Sequence, residues 1–246
     1  FGSAVGIYRI AQTLGRKAHI VLNEATTSVQ PLVELFKNNP EYDEDMIITS
    51  QQAIDMAGSN TVLVVVDVNK PSITECPDLL RFCKSVVVLD HHRQGTETIE
   101  NATLSYVEPY ASSACEMVSE ILQYTYDNIK IRTEEADCMY SGIMIDTNNF
   151  MTKTGVRTFE AAAFLRRNGA DVTRVRKLFR EDAAEYKAKA DAEAKLIKSK
   201  AEAEANDTLE KSLTDKILKE KYIEKWDGKL PSVMTGDDGS SIMIQK

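Results

Sequence analysis

Two adjacent histidines stand directly behind a short apolar run, and they are the side chains of this chain best suited to chemistry. Residues 85–89 (Ser-Val-Val-Val-Leu) have the composition of a buried β-strand, and Asp90, His91 and His92 follow them. Ligands in open α/β sheets bind outside the carboxyl ends of the strands. Taken alone, the tripeptide fits equally well a helix cap followed by two surface histidines.

The same arrangement recurs at two other apolar runs. Residues 61–66 are predicted to form a strand that ends in Asp67, and residues 140–145 a third strand that ends in Asp146. Three acidic strand ends on one edge of a sheet repel one another and raise one another's pKa values, unless cations neutralise them. Carboxylate and imidazole ligands without thiolates suit manganese, magnesium or iron better than a structural zinc. The sequence therefore predicts a divalent-metal site at this edge.

These runs also resemble a known family. In order and spacing, residues 64–67, 89–93 and 142–147 are similar to the motifs of the DHH phosphoesterases, and most similar to the catalytic region of GdpP-type cyclic-di-AMP phosphodiesterases. The same resemblance extends to residues 1–9, 108–116 and 178–182. It covers residues 1–189 in all.

The resemblance implies a metal-dependent hydrolase. The family site holds two metal ions, typically manganese, and hydrolyses phosphodiesters with a metal-activated water. On this chain the resemblance implies that Asp67 bridges both ions, that His91 binds one and that Asp146 binds the other.

Three neighbouring residues receive supporting roles from the same resemblance. Asp90 is expected to orient His91 from behind, because ligating imidazoles usually donate their other N–H to a carboxylate or a carbonyl. His92 and Arg93 are expected to face the substrate phosphate or the leaving oxygen, where an arginine can stabilise charge in the transition state.

Two parts of the family pattern are not found in residues 1–246. The first motif, His-x-x-x-Asp-x-Asp, is expected immediately before Phe1, and a second, substrate-binding domain (DHHA1) is expected to carry a Gly-Gly-Gly-His signature. We therefore expect residues 1–180 to be an N-terminally truncated DHH phosphoesterase domain that is inactive by itself.

The composition changes abruptly after that domain. Residues 181–226 contain 12 acidic residues, 10 lysines and 9 alanines, with no glycine or proline, which predicts a charged helical segment. Residues 227–246 are predicted to be a flexible tail. An apolar stripe at helical spacing along the segment is typical of a packing face. Its predicted members are Ile197, Ala201, Ala205, Leu209, Leu213, Ile217 and Trp226.

The carboxyl end has a resemblance of its own. Residues 201–206 and 222–231 are similar to the C-terminus of prohibitin-like (SPFH, or Band 7) proteins, which are membrane-associated scaffolds, and the similarity covers residues 190–246. Two unrelated families meeting near residue 190 indicate a fusion, a recombined reading frame or an assembly artefact. The sequence does not decide among these three.

Composition narrows the class of partner. The net charge of −8 argues against a duplex nucleic acid, whose binding surfaces are usually basic. It does not exclude the cyclic dinucleotide or short oligonucleotide that the resemblance implies, bound mainly through metals. No apolar stretch approaches the ~20 residues that a membrane span needs, so we expect no direct membrane insertion and a cytoplasmic location. Full-length relatives are expected to be membrane-anchored. The four cysteines form no Cys-x-x-Cys pair and are predicted to be reduced core residues.

The remaining pattern predicts an α/β fold with a doubly wound, mainly parallel sheet flanked by helices. Helices are predicted at residues 2–14, 29–37, 50–56, 79–83, 112–124, 134–139, 158–168 and 171–180, and further strands at 19–22 and 46–49. His19 is predicted to be a surface histidine rather than a ligand. Ser112 and Ser113 are predicted to cap a helix, with a phosphate contact as the alternative.

Three hypotheses for function follow. The leading one is a metal-dependent phosphodiesterase domain that converts cyclic-di-AMP to linear pApA. A second is an exonuclease of the RecJ or nanoRNase type that acts on short oligonucleotides, since the metal motifs are shared. A third is a non-catalytic scaffold that forms a homo-oligomer through its C-terminal helix.

Overall fold

The computed structural model describes the chain except for residues 38, 126–128, 213–214, 226–227, 229–232, 236–240 and 244–246. Two compact units are present, Phe1–Tyr186 and Lys187–Lys246. The helices are α1 Gly2–Thr13, α2 Gln30–Glu34, α3 Ser50–Met56, α4 Leu79–Phe82, α5 Ala114–Thr125, α6 Thr133–Asp146, α7 Val156–Arg167, α8 Val172–Ser212 and α9 Asp215–Glu224. The strands are β1 Ile20–Val21, β2 Ile47–Ile48, β3 Val62–Val66, β4 Ser85–Asp90, β5 Leu104–Val107, β6 Val233–Thr235 and β7 Ser241–Met243.

Parallel sheets flanked by helices confirm the predicted α/β class. Strands β3, β4 and β5 form one parallel sheet in that order, and β1 pairs with β2 in another. Val66 pairs with Leu89, so that β3 and β4 end side by side. This register brings the residue after β3 and the last residue of β4 to the same edge of the sheet.

The core of the first unit lies among α5, α6 and α7, beside the sheet. Its largest side chains are completely buried: Met117, Leu122, Met139, Ile143 and Leu165. Burying each such side chain contributes about 1.5–3 kcal/mol, which anchors the helices against the sheet. The four cysteines are free and buried, as predicted; they are Cys76, Cys83, Cys115 and Cys138.

Helix α1 packs closely against α5 and α6 because two of its residues have no side chain. A Cβ on Gly2 would lie 2.6 Å from the backbone oxygen of Cys138, and one on Gly6 would lie 2.5 Å from a methyl group of Val118. Both separations are shorter than van der Waals contact allows. The glycines therefore set how closely α1 approaches its neighbours.

The third predicted strand is wrong. Residues 140–145 continue α6 without a break, and Asp146 is the last residue of that helix, not the end of a strand. A short apolar run does not distinguish a buried strand from a buried helix turn, and here the polar residues 133–137 ahead of it already form the helix. Strand β5, which was not predicted, has a mostly exposed edge whose residues lack an alternating pattern.

The second unit contains the rest of α8, helix α9 and an antiparallel pair in which Val233 lies opposite Met243. Of the predicted apolar stripe, Ile197 and Ile217 are exposed, whereas Leu213 and Trp226 lie outside the described residues. None of the helices in the described part of the chain combines the length and apolarity that a bilayer crossing requires.

Candidate metal centre

Asp67 follows β3 in a backbone conformation that few residues other than glycine, asparagine and aspartate adopt. Its φ is +68°, in the left-handed region, and its N–H donates to the Leu89 carbonyl oxygen at 2.9 Å. That conformation costs roughly 1–2 kcal/mol for a residue with a Cβ. One carboxylate oxygen, Oδ1, is buried without a hydrogen-bond partner in the described structure. Backbone strain beside an unsatisfied polar atom is typical of a functional position.

The ring of His91 lies between two carboxylates. Its side chain is 8% exposed, and Nε2 is 3.3 Å from Asp67 Oδ1 and 3.9 Å from Asp146 Oδ2. Contact with the Asp67 carboxylate raises the pKa of His91, against burial, which lowers it; Asp146 and the Ala111 backbone also raise it. A cation at this point, either a proton or a metal ion, is therefore favoured by the surrounding charges.

Asp146 reaches the same site from the end of a helix. Burial, followed by repulsion from Asp67, raises the pKa of Asp146. The negative end of the α6 macrodipole also opposes a carboxylate at this position. Asp146 thus needs a compensating cation when it is ionised.

A strained turn terminates α6 immediately after Asp146. Asn148, Asn149 and Phe150 all have positive φ values of 47–64°. The buried Thr147 hydroxyl accepts from the Phe150 N–H at 3.0 Å and donates to the Ile143 carbonyl at 2.7 Å. The two asparagines thus form a turn, and this turn fixes where the helix ends.

Asp90 supports a different histidine from the one predicted. Its carboxylate is completely buried, and its Oδ1 accepts from the His91 backbone N–H at 2.9 Å and contacts His92 Nδ1 at 2.8 Å. The carboxylate therefore holds the His92 ring, and not the His91 ring.

Four further polar residues lie around or away from this cluster. The His92 side chain is 60% exposed, and Arg93 is exposed in the loop after β4. Asn69 was not predicted, although it follows Asp67 by two residues; it is buried and donates to Asp90 Oδ2 at 2.6 Å. His19 lies outside the cluster, where its Nδ1 is 2.6 Å from the Asp45 carbonyl oxygen.

Of the two serines before α5, Ser113 caps the helix as predicted, and Ser112 does not. Ser113 Oγ accepts from the Glu116 N–H at 3.0 Å. Ser112 instead donates to the Glu116 carboxylate, which also accepts from Thr158 Oγ1 at 2.7 Å. The buried Glu116 thus joins the loop ahead of α5 to the first turn of α7.

The donor set fits a divalent cation. Within the described residues, the group whose ligand atoms all lie within 4.8 Å of one another is Asp67, His91 and His92, and Asp146 approaches the same His91 nitrogen. Carboxylate and imidazole donors match manganese, iron or magnesium. The unpartnered Oδ1 of Asp67 is the atom most in need of a cation.

Comparison with known proteins agrees with this arrangement. The model of the DHH family, N-terminal domain, matches residues 1–143. The chain is 40% identical over 189 residues to the cyclic-di-AMP phosphodiesterase GdpP of Bacillus subtilis (strain 168), covering 75% of this chain and 28% of that protein. It is 27% identical over 143 residues to the bifunctional oligoribonuclease and PAP phosphatase NrnA of Mycoplasma pneumoniae, covering 56% of this chain and 43% of that protein.

A solved structure shares the fold. An exopolyphosphatase-related protein from Bacteroides fragilis superposes with a TM-score of 0.58 at 21% identity, covering 72% of this chain and 51% of that chain. The chain spans 28% of the length of the GdpP relative, so the match concerns one region of that protein. The family model matches more than half of the chain, including Asp67, His91 and His92, which shows that the chain belongs to the DHH family.

Proposed function

We propose that Asp67, His91 and Asp146 hold divalent metal ions, manganese in the first place, and that the site hydrolyses a phosphodiester of cyclic-di-AMP to give linear pApA. The buried, unpartnered Oδ1 of Asp67, 3.3 Å from the His91 ring, is the observation that carries this proposal. In the described structure both aspartates are paired with the His91 ring, and the pKa of Asp146 stays raised despite the charges of His91, His92 and Lys153, so the site favours an added cation.

The metal-ligand residues have a simple requirement. Bound metal ions would lower the pKa of a water molecule and supply the hydroxide nucleophile. His91 must be neutral at Nε2 to bind a metal ion, and both aspartates must be ionised. The raised pKa values of His91 and Asp146 mean that protons compete for the same site.

His92 and Arg93 are proposed to act on the substrate. Since Nδ1 of His92 is held by Asp90, its Nε2 is the nitrogen left to meet a phosphate or leaving oxygen. As an imidazolium, the ring would donate the Nε2 proton to the departing oxygen, while Asp90 balances its charge. Arg93 is exposed in the adjoining loop and would neutralise charge on the phosphate.

The substrate class is supported by the relative and by charge. The GdpP relative is named for cyclic-di-AMP, and 75% of this chain matches it. A net charge of −8 leaves metal ions as the main attraction for a phosphate. We also propose that the domain works in the cytoplasm, as part of a longer protein.

A second candidate is an oligonucleotide exonuclease. The NrnA relative is named an oligoribonuclease, and it matches 56% of this chain. Lower identity over a shorter span makes this the weaker proposal. The scaffold hypothesis rests on the C-terminal resemblance over residues 190–246 alone.

The test is turnover with manganese by the chain extended before Phe1 by the family's His-x-x-x-Asp-x-Asp segment. We expect manganese-dependent conversion of cyclic-di-AMP to pApA, abolished by Asp146→Asn. The control Asp45→Asn removes an exposed carboxylate that contacts Lys17, and it is expected to retain activity. Faster cleavage of linear oligonucleotides than of cyclic-di-AMP would favour the exonuclease, and no turnover of either would favour the scaffold.

A further inference from the structure

Asn69 is a buried amide whose side chain serves one carboxylate. It is 4% exposed, and its Nδ2 donates to Asp90 Oδ2 at 2.6 Å, with a longer contact of 3.4 Å to the His92 carbonyl oxygen. The backbone carbonyl of Asn69 accepts from the Ile99 N–H at 3.1 Å, and this bond fixes the loop that carries Asn69. A buried amide with its donors aimed at one acidic group is costly unless that arrangement is used.

The two oxygens of Asp90 have separate partners. Oδ2 is held by Asn69, and Oδ1 by the His91 N–H and the His92 ring. A carboxylate can only accept, so the neutral His92 ring carries its proton on Nδ1, and Nε2 is left to take up the second proton of the imidazolium. The His92 side chain is 60% exposed, and the contact with the buried carboxylate is what restricts its rotation.

We propose that Asn69 is a positioning residue, which holds the Asp90 carboxylate and, through it, keeps the His92 ring in the orientation and tautomer that offer Nε2 to the substrate. This inference rests on the proposed function for its catalytic meaning, since His92 would be the residue that meets the phosphate or leaving oxygen. The loop after β3 then supplies both a metal ligand, Asp67, and the residue that aligns the histidine of the next strand.

Loss of the Asn69 amide has a defined consequence. Without it, Asp90 Oδ2 loses its donor, and the carboxylate is free to turn away from the His92 ring. The ring then samples both tautomers and more than one orientation. The metal ligands Asp67 and His91 keep their places, so metal affinity is expected to change far less than turnover.

The tautomer of His92 provides a test that needs neither metal nor substrate. Long-range proton–nitrogen NMR of the metal-free chain, at a pH well above the ordinary imidazole pKa, reports which ring nitrogen carries the proton. We expect a single Nδ1–H form in the wild type, and a mixture of tautomers in Asn69→Ala. Asp90→Ala, which removes the acceptor altogether, serves as the positive control. Asn168→Ala removes the hydrogen bond of 2.9 Å that the Asn168 side-chain amide donates to the Phe164 carbonyl oxygen at the end of α7. This control is expected to leave His92 unchanged.

A second measurement separates positioning from metal binding. Asn69→Ala should bind manganese within about twofold of the wild type, while kcat of the extended, active form falls about 10- to 100-fold with KM nearly unchanged. Asn69→Asp, which keeps the size but places a second carboxylate against Asp90, should not restore kcat.

The outcomes distinguish this inference from the proposed function. An unchanged Nδ1–H form of His92 in Asn69→Ala would overturn the inference, as would a loss of manganese affinity equal to that of Asp67→Asn. If the wild type bound no manganese while Asn69→Ala still altered the tautomer, the proposed function would fail and the positioning role of Asn69 would stand.

Discussion

Helix α6 carries carboxylates at both ends, and their surroundings differ. Near its N-terminus, Glu135 is completely buried and receives Arg9 through two nitrogens at 2.7 and 2.5 Å. Asp137 is also buried and is held by Arg174. At the last residue, Asp146 lies 3.9 Å from the His91 ring, with no arginine or lysine ion pair among the described side chains. The charges of His91, His92 and Lys153 lower its pKa, but by less than burial and Asp67 raise it.

The helix itself increases this difference. Acidic groups in the first turn are stabilised by the positive end of the macrodipole, whereas a carboxylate at the last residue is opposed by the negative end. Repulsion between Asp146 and Asp67 adds to the burial that raises the pKa of Asp146. One end of α6 thus stabilises the fold through paired carboxylates, and the other ends in a carboxylate whose charge is incompletely balanced, which favours a bound cation.

The largest expected effect is on the paired end. Glu135→Gln leaves the Arg9 guanidinium largely buried without its counter-ion, so the free energy of unfolding should fall by about 3–5 kcal/mol. Urea unfolding measures this directly. Glu134→Gln, one residue earlier and less buried, is the control and should change stability by less than about 1 kcal/mol. Equal stability of the two variants would contradict the structural role of the pair.

Asp137→Asn should have a smaller effect. The Asp171 N–H donates to Asp137 Oδ1 at 2.7 Å in the wild type, and the amide oxygen of the variant can still accept this bond. The side chain of Arg174 is 42% exposed, so water can hydrate the guanidinium that loses its partner. We expect a loss of about 1–2 kcal/mol in the free energy of unfolding. A loss as large as that of Glu135→Gln would show that solvent does not screen this pair.

At the unpaired end, pH should move metal affinity and stability in opposite directions. Manganese affinity should fall as pH falls through the raised pKa of His91, because protons then occupy the ligand atoms. Each ligand that becomes protonated lowers the affinity by up to about tenfold per pH unit. His91 and Asp146 both bind protons more tightly in the folded state, so their contribution to metal-free stability is present at low pH and declines as pH rises through their pKa values.

Calorimetric titrations with manganese, paired with urea unfolding at each pH, measure both trends. In Asp67→Asn, His91 loses the largest cause of its raised pKa, and the stability trend near neutral pH should flatten. A metal affinity that does not depend on pH would show that neither His91 nor Asp146 is a ligand.

The smallest expected effect concerns the turn after Asp146. Asn149 is exposed with a φ of +58°, so Asn149→Ala should lower the free energy of unfolding by about 1 kcal/mol, while Asn149→Gly should stay within about 0.5 kcal/mol of the wild type. Thermal unfolding of the pair measures the difference. Equal destabilisation by both substitutions would mean that the asparagine side chain, and not its backbone conformation, matters.

Much of the site follows from the sequence because strand ends are local signals. Apolar runs ending in Asp67 and Asp90 predict two parallel strands, and the observed pairing of Val66 with Leu89 brings their ends together. The contact of His91 with both Asp67 and Asp146 agrees with the set of residues that the motifs bring together.

Other features depend on tertiary context. The run before Asp146 fits a buried strand or a buried helix equally well, and only its continuity with residues 133–139 makes it helical. No sequence pattern predicts the role of Asn69, because that role depends on a contact between the loop after β3 and Asp90 at the end of β4. The direction of the Asp90 carboxylate, toward His92, depends on the geometry at the end of β4.

The most direct test makes the same chemical change, carboxylate to amide, at the metal centre and at the paired end of α6. Manganese titration and urea unfolding would be measured on the wild type, Asp67→Asn and Glu135→Gln, each of which replaces one carboxylate by an amide. We predict that Asp67→Asn weakens manganese binding at least ~100-fold, equivalent to about 2.7 kcal/mol, with the free energy of unfolding within about 1 kcal/mol of the wild type. Glu135→Gln should lose stability, while its folded fraction binds manganese normally. If Asp67→Asn bound manganese as the wild type does, the unpartnered carboxylate would not be a metal ligand and the account would be wrong.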